Sequence, residues 1–544
     1  MASSTPNTPA PVRPRRRLRW LLGLVLLAWA GIAEWNTHKP LPAGVHVAGP
    51  WQPVNSGEVR LLFDMTSGER RHRQLDQEIF AATLALIASS RDLLVLDYFL
   101  FNGQHGPSGD LRYEDGIQPL ARQLREALLA RHRAEPAMPM LVLVDPINSY
   151  YERPLSPDLA TLRAAGIEVV TTRLDALRDS NFLYSALWRL GPRWLVRPGA
   201  PHLIPNVLDA GGPKMSAGAA LRLLNFKANH RKLLITGDGR GSLRGIITSA
   251  NPHDASSAHS NVAVELAGAM LAPLLQSELD IARLSGWPEK SAASETRASK
   301  LRAAAAATTS RVVAHKAAPP VAVPQVAAIS VPERTARATV LTEGAIRDAL
   351  LERLADTGPQ DAVDIAMFYL SDRDVIDALV AASARGTRVR LILDPNRDAF
   401  GFEKSGLPNR PAAAELQRRS NGKILIRWYR THGEQFHAKI AAVYGPGRMW
   451  ILAGSSNFTR RNLRDYNLEA DVALDLPSDA VCAMRFSGWF QTLWDGPQAL
   501  GAAAATPAAI VSSAYTTDFA SYAEDSALRY WLYRIMEASG LSTF

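Results

Sequence analysis

Short uncharged apolar runs alternate along the chain with segments whose apolar residues recur every three or four positions, and this alternation occurs twice. In the first half, residues 92–101 (DLLVLDYFLF) form an apolar run of strand length. A predicted helix over 120–131 follows, then a buried strand over 140–146 ending in Asp-Pro (MLVLVDP), a short helix, and a strand over 166–171 (GIEVVT). The second half repeats the order: 361–370 (DAVDIAMFYL), a helix over 375–384, a strand over 389–395 (VRLILDP), a helix near 412–418, and 424–429 (ILIRWY). Strands alternating with amphipathic helices predict an α/β lobe with a largely parallel or mixed sheet, once in each half. Both Asp-Pro turns fall at the carboxyl ends of strands, where such sheets place their ligands.

The pattern breaks in three places. Residues 289–337 are rich in Ala, Pro and Val, including 303–307 and Pro319-Pro320, and have no periodic apolar face. That is the composition of a flexible or partly extended linker. The stretch 501–544 opens with an Ala/Pro-rich piece (504–507) and ends in a helical pattern over 527–538. This pattern sets Leu528, Trp531, Leu532 and Ile535 on one face, expected to dock onto the second lobe. At the N-terminus, Arg15-Arg16-Arg17 precedes an uncharged apolar stretch over 20–33. Its 14 residues fall short of the roughly 20 of a full span and suit a signal-peptide core, with Ala28-Trp29-Ala30 as a cleavage site. Read as an uncleaved signal anchor, the preferred alternative, it places Trp35 at the interface and lets Arg19 snorkel. Either way the positive-inside rule sends the rest of the chain across a membrane. The expected location is a bacterial-type inner membrane with the body on the periplasmic side, or secretion after cleavage. The organisation expected is a leader (1–40), a first lobe (50–288), a linker (289–337), a second lobe (338–500) and a helical tail (501–544).

Composition narrows the partners. A chain of 544 residues, 47% hydrophobic and 21% charged, is neither disordered, collagen-like nor polytopic, and is long enough for two domains. The single Cys482 excludes an intrachain disulfide framework and any zinc site built on several thiolates. The net charge of +9 suggests an anionic partner, but residues 1–40 carry +5 and residues 289–337 another +5, leaving the body at −1. A duplex-binding domain carries its basic stripe in the folded part, so no nucleic-acid partner is expected.

Each half ends in a matching group of polar residues. The first is Asn229-His230-Arg231-Lys232, followed by LLITGD and then Thr248-Ser249-Ala250-Asn251. The second is Phe436-His437-Ala438-Lys439, followed by IAAVYG and then Gly454-Ser455-Ser456-Asn457. His and Lys stand two apart on a predicted strand and so share a face. His230 and Asn251 are 21 residues apart, His437 and Asn457 are 20. This set suits phosphodiester chemistry. One His can attack phosphorus through a ring nitrogen, and the other can protonate the leaving alkoxide and then deprotonate the incoming alcohol or water. Lys232 and Lys439 would oppose charge on the non-bridging oxygens, with Asn251, Asn457, Ser249 and Ser455 adding neutral donors. Two ammonium groups stand in for a metal, so none is required.

The two groups resemble the paired motifs of the phospholipase D superfamily, written H-x-K-x4-D-x6-G-S-x-N, over roughly residues 75–270 and 340–480. The resemblance implies two pseudo-twofold-related α/β lobes, each a mixed sheet flanked by helices, sharing one active site. It also implies a phosphohistidine intermediate and no cofactor. The sequence departs from the pattern where the motif aspartate should stand: Gly237 and Tyr444 occupy those positions, with Asp238 one residue late. Thr248 replaces the first motif glycine, and each Lys-to-Asn stretch is three or four residues longer than the family form. In the family a carboxylate downstream of the Asn often orients a motif histidine. Glu469 stands there in the second copy and Asn261 in the first, a difference that would separate the two histidine pKa values. The family's habit points to His230 as nucleophile and His437 as general acid/base.

Further polar residues flank the motifs. His253 and His259 are candidates for the mouth of the site or ordinary loop histidines. Lys227, Asn225 and Asn229 are candidates for gripping phosphate, and Arg460 or Arg461 for a headgroup or a solvated turn. Arg178-Asp179-Ser180-Asn181 reads as a structural turn, and Asp145 and Asp394 as caps of strand ends. Three functions remain open: an enzyme transferring or hydrolysing phosphatidyl groups at a membrane surface, a nuclease of the same superfamily, and an inactive lipid-binding scaffold. The near-neutral body and the membrane address favour the first, in a form resembling the cardiolipin synthase-like branch.

Overall fold

The computed structural model describes residues 14–68, 72–103, 117–151, 155–195, 199–209, 212–317, 335–399, 402–496, 515–542 and 544. The Pro-rich leader up to residue 13, the Pro319-Pro320 stretch and residues 504–507 lie outside them.

The first sheet holds β1 (Val59–Phe63), β2 (Leu94–Tyr98), β3 (Met140–Val144), β4 (Glu168–Thr171), β5 (Lys232–Gly237), β6 (Leu243–Thr248) and β7 (Val262–Ala267), in the spatial order β1-β7-β6-β5-β2-β3-β4. The second holds β8 (Arg337–Thr342), β9 (Ala362–Met367), β10 (Arg388–Leu393), β11 (Leu425–Tyr429), β12 (Lys439–Gly445), β13 (Arg448–Gly454) and β14 (Ala470–Pro477) in the same order, β8-β14-β13-β12-β9-β10-β11. In each sheet three neighbouring strands run parallel (β2-β3-β4 and β9-β10-β11) and the remaining pairs are antiparallel. The chain is thus a mixed α/β protein of two lobes with one repeated topology.

Strand alternation explains how the sheets are covered. Leu233 and Ile235 of β5 point into an apolar cluster shared with Ile440 of β12, Ile451 of β13 and Val472 of β14, so the lobes are joined by a common core. Leu234 points the other way, onto a cluster with the helices Ile79–Ser89 and Leu120–Ala134. The outer face of the second sheet is covered by Gly344–Ala355, Arg373–Ala384 and Asn409–Arg419. The lobes are also riveted by Arg231, fully buried between Glu278 of the first lobe and Glu343 of the second, each 2.8 Å away. Glu343 takes a left-handed φ of 49°, unusual for a residue with a side chain, and its carboxylate also accepts the Glu469 N–H.

Several expectations are corrected. The linker begins as a helix, Ala292–Ala317, and Ala298, Leu301 and Ala305 are buried in the shared core. Alanine is the strongest helix former, and three apolar contacts at i, i+3, i+7 suffice to dock it. The tail helix, Ala527–Ser539, does lie on the second lobe, but through Tyr533, Tyr530 and Met536. Leu528, Trp531, Leu532 and Ile535 face outward. Before it, Thr516–Asp518 adds β15 beside β11. Gln52–Pro53, expected within the first lobe, pairs with β8 of the second sheet. The N-terminal apolar stretch lies in a 25-residue helix, Pro14–His38, of which Leu18–His38 is long and apolar enough to cross a membrane and is 6% buried.

The lobes differ most between their fourth and fifth strands. Nine residues join β11 to β12, whereas sixty join β4 to β5. This first-lobe insertion contains the helices Phe182–Leu190 and Ala217–Leu223, and the long N-terminal helix packs on the former, with Trp29 Nε1 donating to the Leu183 carbonyl at 3.1 Å.

Candidate active site

Lys232 and Lys439 are the first residues of β5 and β12, and His230 and His437 stand two residues earlier in extended lead-ins. Asp145 and Asp394, at the ends of β3 and β10, hold those lead-ins. Each caps its own turn, accepting from Ile147 N (2.7 Å) or Asn396 N (2.6 Å). Its second oxygen accepts, at 2.7 Å, the N–H of the residue before the histidine, Asn229 or Phe436. They are strand-end caps, as the sequence indicates, and they also fix where each histidine emerges.

Each lead-in then pairs with the other lobe. His230 N donates to Leu468 O at 2.9 Å and His437 N to Ser260 O at 2.8 Å. This brings each histidine onto the residue that follows in the opposite lobe. His230 Nδ1 lies 2.8 and 3.0 Å from the two Glu469 oxygens, and His437 Nδ1 lies 3.1 Å from Asn261 Oδ1. Ser455 Oγ donates to Glu469, as Ser249 Oγ does to Asn261 Oδ1 (3.1 Å). The serines expected to contact phosphate oxygens are therefore engaged in holding the residues that orient the histidines.

Both lysines are buried, each ammonium donating to its own histidine's carbonyl (2.7 Å for Lys232, 2.8 Å for Lys439). An aromatic ring backs each pair. Phe99 lies 4.9 Å from the His230 ring and 5.3 Å from Lys232 Nζ, and Phe368 lies 4.9 Å from His437 and 5.0 Å from Lys439. The sequence reading did not single these residues out. Superposing DLLVLDYF on DAVDIAMF, which places one phenylalanine over the other, is the signal that finds them.

Burial dominates the electrostatics. It lowers both imidazoles well below their ordinary value, aided by Lys232 and Lys439, each of which acts on both histidines. The two His-Lys pairs are therefore near enough to act on each other electrostatically. Burial also brings Lys232 down to about 7, lowers Lys439 well below its ordinary value, and pushes Glu469 up to about 8. The shifts on His230 and Glu469 both oppose a charged imidazolium–carboxylate pair. Asn251 Oδ1 accepts from Leu100 N at 3.2 Å, while Asn457 Oδ1 is buried with no hydrogen-bond partner among the described residues.

Other candidates are placed elsewhere. Lys227 is tied to Asp179 at 2.5 Å, and Asn225 and Asn229 bond to protein atoms. Arg460 donates to Ser180 O (3.3 Å) and Arg461 to the carbonyls of Phe226, Gly540 and Ser542, so neither is free for a headgroup. Arg178 pairs with Asp465, and Arg189 with Asp179, in a structural turn. The His259 ring lies 5.9 Å from that of His437, tilted by 49°, its Nδ1 accepting from Gln435 N, and burial lowers it to about 3. His253 Nδ1 is bonded to Ser256 Oγ. Gly237 and Tyr444, at the missing aspartate positions, lie at the far ends of β5 and β12, about 16 Å along the strand from the lysines.

Residues 351–494 match the family described as "Cardiolipin synthase, PLD-like domain". That stretch, about a quarter of the chain, is similar to a phospholipase D-like domain. The matched stretch contains His437, Lys439, Asn457 and Glu469. The match supports a phosphodiesterase or phosphatidyltransferase. No curated protein sequence matches the chain. Crystal structures similar to it include phosphatidylserine synthase from Haemophilus influenzae Rd KW20, with 12% identity, 94% of this chain and 98% of that one covered, and a TM-score of 0.48. Polyphosphate kinase from Porphyromonas gingivalis shares 12% identity over 82% and 51% at a TM-score of 0.39. The phospholipase D family member Nuc from Salmonella typhimurium shares 22% over 29% and 95% at 0.24.

Proposed function

We propose that this protein is a phosphatidyltransferase or phospholipase D that acts on phosphodiester bonds of membrane phospholipids through a phosphohistidine, in the manner of a cardiolipin synthase. The observation that supports it is the crosswise arrangement, in which two His-Lys pairs from two lobes are each oriented by the other lobe.

His230 attacks phosphorus through Nε2. Attack makes the ring cationic, and the Glu469 carboxylate at Nδ1 offsets that charge, whereas the amide of Asn261 beside His437 does not. An anionic phosphodiester raises the pKa of every neighbouring cation, restoring charge to Lys232 and Lys439 and placing a proton on His437. His437 gives that proton to the leaving alkoxide and takes one from the incoming alcohol or water, which breaks the P–N bond. Lys232 and Lys439 hold the non-bridging oxygens with Asn251 and Asn457, and Ser249 and Ser455 keep the orienting groups in place. The Leu18–His38 helix serves as a signal anchor, holding a near-neutral body to the periplasmic side of an inner membrane so that substrate arrives by tethering.

Purified protein given phosphatidylglycerol in detergent should yield cardiolipin or phosphatidic acid, and His230→Ala should abolish both. Labelled phosphoenzyme should accumulate in His437→Ala and not in His230→Ala. Cleavage of single-stranded DNA without lipid turnover would replace this reading with the nuclease. Absence of any phosphoenzyme would leave the scaffold.

A further inference from the structure

The sixty-residue insertion between β4 and β5 has no counterpart in the second lobe, and it is where the body grips the long N-terminal helix. From Leu18 to Ala28 every side chain of that helix is exposed. Beyond that point Trp29, Ile32, Ala33, Asn36 and Thr37 are shielded, the spacing of one helical stripe. Two hydrogen bonds fix the alignment. Asp179 N donates to Asn36 O at 2.9 Å, and Trp29 Nε1 donates to Leu183 O at 3.1 Å. As the insertion advances from 179 to 183 it therefore runs back along the N-terminal helix from 36 to 29, toward the apolar end.

The rise of a helix converts this alignment into a depth. The uncharged stretch 20–33 ends at Glu34, which is exposed and marks the edge of any hydrocarbon layer the helix crosses. Trp29 lies five residues inside that edge, about 7 Å at 1.5 Å per residue. The insertion helix Phe182–Leu190 thus meets the N-terminal helix below the headgroups, at the depth of about 5–10 Å reached by helices that lie in a bilayer surface.

The surface that would be immersed is apolar. Trp194 and Leu203 of the insertion are 68% and 71% exposed, more than any other large apolar residue described outside the two terminal helices. Leu187, one turn beyond Leu183, is 53% exposed. The Arg193 guanidinium lies 4.2 Å from the Trp194 ring, a cation beside an aromatic as at a membrane–water boundary. The tail helix reaches the same place. Gly540, which follows it, packs against the Ser180 carbonyl, beside the Asp179 that bonds Asn36. Its outward face of Trp531, Leu532 and Ile535 is the one the fold leaves uncovered.

We propose that the insertion and the tail helix form a seating face around the N-terminal helix, immersed in the near leaflet of a phospholipid bilayer. The proposal rests on the anchor reading of that helix. Length supports this occupant. Fourteen uncharged residues rise about 21 Å against a hydrocarbon core of about 30 Å, and a body lowered into one leaflet thins the layer left to cross. Continuity supports it as well, because the exposed apolar surface begins where the crossing helix leaves the body.

The one cysteine, Cys482, is buried, so nitroxide spin labels can be directed to introduced cysteines. Trp194→Cys, Leu203→Cys and Trp531→Cys are labelled singly in the full chain, reconstituted in bilayers of phosphatidylethanolamine and phosphatidylglycerol. Leu26→Cys reports the crossing helix, and Lys423→Cys, exposed ahead of β11, reports water. Paramagnetic resonance reads collisions with oxygen, which concentrates in lipid, and with a nickel chelate, which stays in water. Labels at 194, 203 and 531 should lose the nickel collisions and gain the oxygen ones, as at 26, while 423 keeps its nickel collisions. A lipid signal at 26 with a water signal at 194, 203 or 531 overturns the seating face and leaves the anchor. Lipid signals at all three with water at 26 keep the face and overturn the anchor instead. Water at all four overturns both.

Discussion

The turn that follows the His-Lys strand is built differently in the two lobes, although it delivers its asparagine to the same place. In the second lobe a Cβ on Gly454 would stand 2.4 Å from both Ala470 O and Asp471 Oδ1, so only glycine fits beside that aspartate. Asp471 in return accepts from Ser456 N at 3.1 Å and Ser456 Oγ at 2.5 Å. In the first lobe the cross-strand partner is Ala263, which leaves room for Thr248, and the threonine hydroxyl accepts from Ala250 N at 3.0 Å while donating to Val262 O. The same backbone N–H is satisfied from the opposite strand in one lobe and from its own strand in the other. A departure from the family motif that reads as damage in one line of sequence is thus half of an exchanged pair.

The largest test of this asymmetry is at the rivet. Arg231 occupies the position of Ala438, and Arg231→Ala would strand Glu278 and Glu343 in the core at a cost of about 3–5 kcal/mol, read from denaturant midpoints. Next is the pair of orienting residues. Glu469→Gln should lower kcat about a hundredfold with little change in KM, because the carboxylate acts on charge formed during attack. Asn261→Asp should instead move the alkaline limb of the pH–rate profile upward by about one unit. The sign follows because an added negative charge beside His437 holds its proton to higher pH. Smaller is the turn itself. Gly454→Thr should destabilise by about 1–3 kcal/mol and Thr248→Gly by about 1 kcal/mol, so equal costs in calorimetric melting would break the exchanged-pair account. Smallest is Tyr444→Phe, at the missing motif aspartate, which should leave kcat within about twofold because it lies at the remote end of its strand.

Much of this was legible in the chain. Apolar runs locate β2, β3, β9 and β10 within three residues because those strands are largely buried on both faces. The His-Lys-Asn spacing locates the polar constellation because the strand pair between its members is a local structure. What escaped depends on contacts distant in sequence. Glu469 reads as an orienting carboxylate, but that it serves His230 rather than its own lobe's His437 depends on the pairing of Leu468 with Asn229. The tail helix shows a clean apolar face, yet it docks by the other one, because Tyr533 reaches a niche where Arg373 and the Ser371 carbonyl meet its hydroxyl, at 3.3 and 3.4 Å. Periodicity records which residues are apolar and is silent on which neighbour has a place for them.

Because each histidine is held by a residue of the other lobe, neither half of this chain is an enzyme in miniature. Parting the lobes would take the orienting group from both histidines at once, so there is no half-active form to populate. Loss of activity on heating should then be a unimolecular event, first-order at every protein concentration, with one rate for both histidines. The same dependence constrains how the two copies diverge: a change at Glu469 is felt at position 230, some 240 residues away along the chain, before it is felt by the motif it belongs to.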